Sequence, residues 1–260
     1  MRVLAAALIA AMLVGPALGA DEGGCFVASS FVHADFALPQ VAAAIGAKHL
    51  NVAVVGSASS TLPGAEGAAK AYPARLEESL KRRLPAVTVK VTAHTRARET
   101  AAEMAKSLQQ VLAEDKPDLV IWQTGTVDAM MGVDPDVFQA ALDEGLETLH
   151  AAKSDAMFMN MQYSPRTDSM IALGSYVEAM RFVALQREIP LFDRLAVMKN
   201  WNEMGVFDFY STTKRIEFAE RVHDCIGRLL ARLVVDSADL AAQANNSGAG
   251  SSDVPNKDIH

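Results

Sequence analysis

The chain has 260 residues, half of them hydrophobic, and a formal net charge of −7. That is enough apolar material for one medium-sized domain with its own core. The acidic balance, with no stripe of Lys and Arg, excludes a nucleic-acid-binding protein, and the few aromatic residues (6% of the chain) leave no obvious platform for stacking bases or sugars.

Residues 1–20 read as a signal peptide. Arg2 supplies a positive start, Val3 to Val14 is continuously apolar, and Gly15-Pro16 breaks the run. Small residues at Ala17 and Gly19 suit cleavage after Gly19 or Ala20. The apolar run is too short to span a bilayer comfortably, and Glu22-Gly23-Gly24 before Cys25 is not a lipidation signal. The expectation is a secreted or periplasmic protein without a stable membrane span. In an oxidising compartment the two cysteines, Cys25 and Cys225, are an even pair. They read either as a disulfide tying the N-terminal arm to the last helix or as two buried thiols.

Residues 21–48 read as an arm with a short helical piece near Pro39 to Gly46. Regular alternation follows over 49–236. Strand-like apolar runs fall at Asn51–Val55, Val87–Val91, Leu119–Trp122, Ala156–Met161 and Pro190–Phe192. Helical spacing lies between them, at Tyr72–Leu84, Glu99–Ala113, Phe138–Ala152, Ser169–Arg187 and about Lys214–Val234. Strands alternating with helices predict a five-stranded parallel sheet covered on both faces, with sites at the carboxyl ends of the strands. The small polar run from Asn245 to Ser252 cannot bury a core, so 237–260 reads as a disordered tail.

Several stretches carry a family resemblance together. Gly56-Ser57-Ala58-Ser59-Ser60-Thr61 follows the first strand and leads into Tyr72-Pro73-Ala74-Arg75-Leu76. Lys116-Pro117-Asp118 opens the third strand, which ends in Gln123-Thr124-Gly125-Thr126 before Val127-Asp128-Ala129. Gln162-Tyr163-Ser164-Pro165-Arg166 and Leu195 to Trp201 complete the series. Residues 50–235 resemble the SGNH/GDSL hydrolase superfamily, ester hydrolases on a three-layer flavodoxin-like fold. The resemblance is closest to an exported bacterial subgroup whose first motif reads Gly-Ser-Ser-Ser-Thr.

The resemblance implies four functional positions. A serine attacks the ester carbonyl, its amide joins a glycine amide and an asparagine side chain in an oxyanion hole, and a histidine acts as base, oriented by an aspartate. Here those positions read Ala58, Ala97, Val127 and Ser211, although Asp208 remains. Ala97 keeps an amide, but Val127 cannot donate from its side chain. Removing one oxyanion donor costs about 3–4 kcal/mol of barrier. Without Ala58 and Ser211 as serine and histidine, the acyl-enzyme route closes.

Two readings follow. One is an exported, catalytically impaired or inactive protein that binds a cell-envelope glycan, such as an acetylated one, or an envelope protein. The alternative is a carboxylic-ester or acetyl-ester hydrolase with displaced groups, Ser57 or Ser59 as nucleophile with His94 as base. Arg96, Arg98 and Asp128 are the ligand-binding candidates on the rim. No cofactor is implied, and no Cys/His cluster has metal-ligand spacing. Met157, Met159 and Met161 read as core packing.

Overall fold

The computed structural model describes residues 24–210 and 216–249. The arm makes a 3-10 turn at Ser29–Phe31 and then helix α1 (Pro39–Gly46). Strand β1 (His49–Gly56) passes into a 3-10 turn at Ala58–Ser60, followed by α2 (Gly67–Lys70) and α3 (Tyr72–Arg83). Then come β2 (Thr88–Thr95), α4 (Ala101–Asp115), β3 (Leu119–Gln123), α5 (Thr126–Met131) and α6 (Pro135–Ala151). The chain continues through β4 (Asp155–Met159), α7 (Pro165–Met170), α8 (Gly174–Gln186), β5 (Leu191–Phe192), α9 (Arg194–Glu203) and α10 (Ile216–Ala249).

All five strands are parallel, in the order β2-β1-β3-β4-β5, with Val52 opposite both Val91 and Leu119 and Ile121 opposite Met157. This is the flavodoxin-like sheet that the resemblance implies. Helices α1 and α3 both pack on α10, and α4 and α8 both pack on α6. Between the two groups the central strands are covered on both faces: every residue of β3 is buried, and so are Met157 and Met159 of β4 and Met161 just after it.

Several boundaries differ from the expectation for local reasons. Helix α4 starts at Ala101 because Thr100 and Glu103 form a reciprocal capping box. Helix α6 starts at Pro135 because the Asp134 side chain accepts from the Asp136 amide. The single helix expected over Ser169–Arg187 is two, since Ser164 caps α7 and Ile171 is extended. Helices α2, α5 and α9 were not anticipated.

The expected disordered tail from 237 is corrected. Helix α10 continues to Ala249, with Val234, Ser237, Ala238 and Ala241 all buried. That spacing keeps one small-residue face against the body of the protein, and the Leu38 amide donates to the Ser237 carbonyl from the arm. Residues 1–20, read above as a signal peptide, and residues 250–260 of the expected tail lie outside the described residues.

The arm is fastened at several points. Cys25 and Cys225 form a disulfide that closes a separation of 200 residues. Trp201 Nε1 donates to the Phe26 carbonyl at 3.0 Å, and Arg232 to that of Val32 at 3.1 Å. Asp155, at the start of β4, accepts from the Gln40 and Val41 amides in the first turn of α1. No described helix is long and apolar enough to cross a membrane.

Candidate functional site

The carboxyl ends of β1 and β3 meet at a polar cluster that the surrounding core would otherwise exclude. Gln123, the last residue of β3, is fully buried. Its Oε1 accepts from the Ser57 amide (3.2 Å) and from the hydroxyls of Ser57 (3.3 Å), Ser59 (3.2 Å) and Ser60 (2.9 Å). A carbonyl oxygen has two lone pairs, so these donors share it. The 3-10 turn at Ala58–Ser60 is thereby folded down onto the end of the sheet. Gly56 permits this approach: a Cβ there would lie 2.3 Å from Ser60 Oγ.

Arg194 closes the cluster from the start of α9. It is completely buried. Nη1 donates to Ser59 Oγ at 3.3 Å, and Nη2 donates to the Ser59 carbonyl at 3.3 Å and to Gln162 Oε1 at 2.7 Å. The guanidinium carbon stands 5.7 Å from the centre of the Tyr72 ring. Its sequence neighbour Asp193 is otherwise occupied: it caps α9 through the Ala196 amide, accepts from Asn160 and pairs with Arg181. No described carboxylate pairs with Arg194. Two donors have no partner, Arg194 Nε and Gln123 Nε2. Burial pulls Arg194 down to about 10, so it stays charged at neutral pH.

Tyr72 and His223 form the cluster's back wall. The Tyr72 hydroxyl lies 2.9 Å from Ser60 Oγ, and the Tyr72 amide donates to His223 Nδ1 at 3.0 Å. That bond satisfies a first-turn amide of α3, which its N-cap, Ala71, cannot do. Burial, then the nearby Arg194 charge, pull His223 down to about 3. It is therefore a neutral acceptor bound to backbone.

The other sequence candidates lie apart from one another. His94 bonds Asp115 on α4, and with Arg96 and Glu99 it lines a groove of about 230 Å³. No hydrogen bond joins it to Ser57 or Ser59. Arg96 pairs with Glu99 at 3.4 Å, and Arg98 and Ala97 occupy an exposed turn where Arg98 has φ +68°. Asp128 is buried, accepts from the Ala101 amide at 3.0 Å and from Thr124 at 3.5 Å, and is pushed up by burial. Val127 stands half-buried at the start of α5, and Ala58 is exposed. Asp208 accepts from the Tyr210 amide at 3.0 Å. Ser211 lies outside the described residues.

Gln123, Arg194 and Tyr72 were not singled out from sequence. Gln123 carried a weak signal as the polar end of an apolar strand. Arg194 carried none, because an arginine after an aspartate at a helix start reads as a surface pair. Leu195 and Ala196, which follow Arg194 in the chain, line a separate groove of about 490 Å³ with Ile171, Leu173, Lys199 and the carboxylates of Asp168, Glu178 and Asp193. Among the described residues, no group of His, Cys, Asp and Glu could hold a metal ion.

The geometry has known counterparts. Solved structures of similar fold include TesA, with 20% identity and a TM-score of 0.55 over 70% of this chain and 99% of that one. A lipase/acylhydrolase from Enterococcus faecalis has 17% identity and a TM-score of 0.56, over 70% and 94%. A catalytic mutant of the acetylxylan esterase Axe2 from Geobacillus stearothermophilus has 16% identity and a TM-score of 0.57, over 71% and 94%. At such identities the likeness is one of fold. No curated protein sequence matches the chain. Residues 24–240 match the non-GDSL lipase-like family, and over this majority of its length the chain belongs to that family, a member of the SGNH hydrolase-like superfamily.

Proposed function

We propose that this protein is an exported SGNH hydrolase-like binding protein that has given up the Ser–His ester chemistry of its relatives. On this reading it holds a cell-envelope glycan, or an envelope protein, at the carboxyl-end rim of its sheet. The observation that carries the reading is the bonding of the nucleophile loop. The Ser57 and Ser59 hydroxyls bond Gln123, with Ser59 also bonding Arg194, and neither meets an imidazole. A serine without a base close enough to take its proton is a poor nucleophile. The losses at Ala58, Val127 and Ser211 support the same view.

The competing reading is a displaced ester hydrolase. One contact favours it: Arg194 Nη1 stands 3.3 Å from Ser59 Oγ, and an adjacent cation stabilises an alkoxide. Hydrolysis of p-nitrophenyl acetate and of an acetylated xylo-oligosaccharide separates the two. The wild-type protein is expected to match the buffer rate, as are Ser57→Ala, Ser59→Ala and His94→Ala. Turnover by the wild type that any one of these substitutions abolishes would overturn the binding reading.

A further inference from the structure

A buried cation in a folded protein is ordinarily paired, because taking it from water into the interior carries a large desolvation penalty. Arg194 departs from this rule. It is fully buried, charged at neutral pH, and surrounded by neutral acceptors: the Ser59 hydroxyl and carbonyl and the Gln162 amide oxygen. Its Nε is unpartnered, and so is Gln123 Nε2 in the same cluster. Arg96 and Arg181, by contrast, each have a carboxylate.

The two acceptors on the solvent side, Ser59 and Gln162, are only half-buried. Their side-chain acceptors, Ser59 Oγ and Gln162 Oε1, can swing aside, while the Ser59 carbonyl stays in place on Nη2. An oxyanion arriving between them meets a planar guanidinium whose donor geometry matches a carboxylate or sulfate.

We propose that the rim between Ser59 and Gln162 is an oxyanion-binding site in which a ligand carboxylate or sulfate replaces these two neutral acceptors and becomes the counter-ion of Arg194. Uncharged acetyl esters, by contrast, gain nothing from this cation. The inference rests on the binding reading of the rim and narrows its ligand to an acidic one. An acidic sugar and a free inorganic anion share the same chemistry.

Calorimetric titration of the purified protein with D-glucuronate, inorganic sulfate and D-glucose, at constant ionic strength in chloride, tests it. Glucuronate is expected to bind saturably and glucose not. Sulfate binding without glucuronate binding would support the site and assign it to a free inorganic anion. Arg194→Gln should weaken the binding at least about tenfold, the loss of one charge-assisted contact, while Arg96→Gln should leave it unchanged. Gln162→Glu places a carboxylate beside Arg194 within the chain. It should raise the melting temperature by several degrees and abolish glucuronate binding, and it carries the test if Arg194→Gln fails to fold. The proposal is overturned if the wild type titrates neither anion, or if Gln162→Glu binds glucuronate as the wild type does. Esterase turnover is read separately, so a failed binding reading and a missing anion site are distinguishable.

Discussion

Gly56 shows how far the cluster depends on single atoms. The space where its Cβ would stand is filled by Ser60 Oγ, with Gln123 Oε1 at 3.1 Å from the same point. Its backbone is that of an ordinary strand residue, so the missing side chain, not a special φ, is what matters. Gly56→Ala should therefore push Ser60 off Gln123 and destabilise the fold by about 1–3 kcal/mol, the usual cost of overpacking. Urea melts of Gly56→Ala, Ser60→Ala and the double variant check this through a double-mutant cycle. If the two losses simply add, the clash is not with Ser60. The same residues show why the site was only half legible from sequence. The family-equivalent positions Ala58, Ala97 and Val127 are assigned by order along the chain alone. The cluster formed by Gln123, Arg194 and Tyr72 joins residues from β3, α9 and α3, and nothing local marks an arginine as one that will be buried.

At the scale of elements, periodicity served where both faces of a strand or one stripe of a helix are covered. Strands β1, β3 and β4 and helices α3, α4 and α6 are long enough to repeat their pattern, so they were readable to within a few residues. Strand β5, two residues long, was legible only as an apolar pair after Pro190. The end of α10 was misread because alanine and serine look polar or neutral by composition, while their small size lets Ser237, Ala238 and Ala241 pack closely. Closer to its middle the same helix relies on Gly227, where a Cβ would meet Arg75 Cβ at 2.6 Å and backbone of α3 at 2.8 Å. Gly227→Ala gains helix propensity, worth about 1 kcal/mol. It should nevertheless lower stability by a net 1–2 kcal/mol or so, because two backbones must part. Thermal melting decides the sign: a higher melting temperature for Gly227→Ala would mean that α10 slides on α3 without cost.

Across the whole molecule, two groups, the buried His223 and the half-buried Asp155, pull stability in opposite directions as pH falls. Burial lowers His223 to about 3 from an ordinary 6.5. The unfolded chain then takes up a proton below about 6.5 that the folded one refuses, and stability drops on acidification. Asp155 is raised to about 6, first by burial and further by Asp118, against the lowering effect of the Val41 and Gln40 amides. The folded state there binds its proton first, so its contribution is fully present below about 3.8 and lost as pH rises through about 6. His223 spans the wider interval. Melting temperatures at pH 7, 6, 5 and 4 should therefore fall less steeply for His223→Asn than for the wild type, since asparagine can still accept from the Tyr72 amide. Asp155→Asn should fall more steeply, by an amount on the order of 1 kcal/mol at pH 5 after allowing for its partial exposure. Parallel curves for all three proteins would refute both assignments.

The bridge between Cys25 and Cys225 also imposes an order in time. Residue 25 leaves the ribosome 200 residues before its partner. At roughly 5–20 residues per second, that is a wait of about 10–40 s. During it the arm has neither its sulfur partner nor the Ser237 carbonyl that Leu38 engages, so the layer formed by α1, α3 and α10 cannot close. The arm stays available to other machinery until α10 exists.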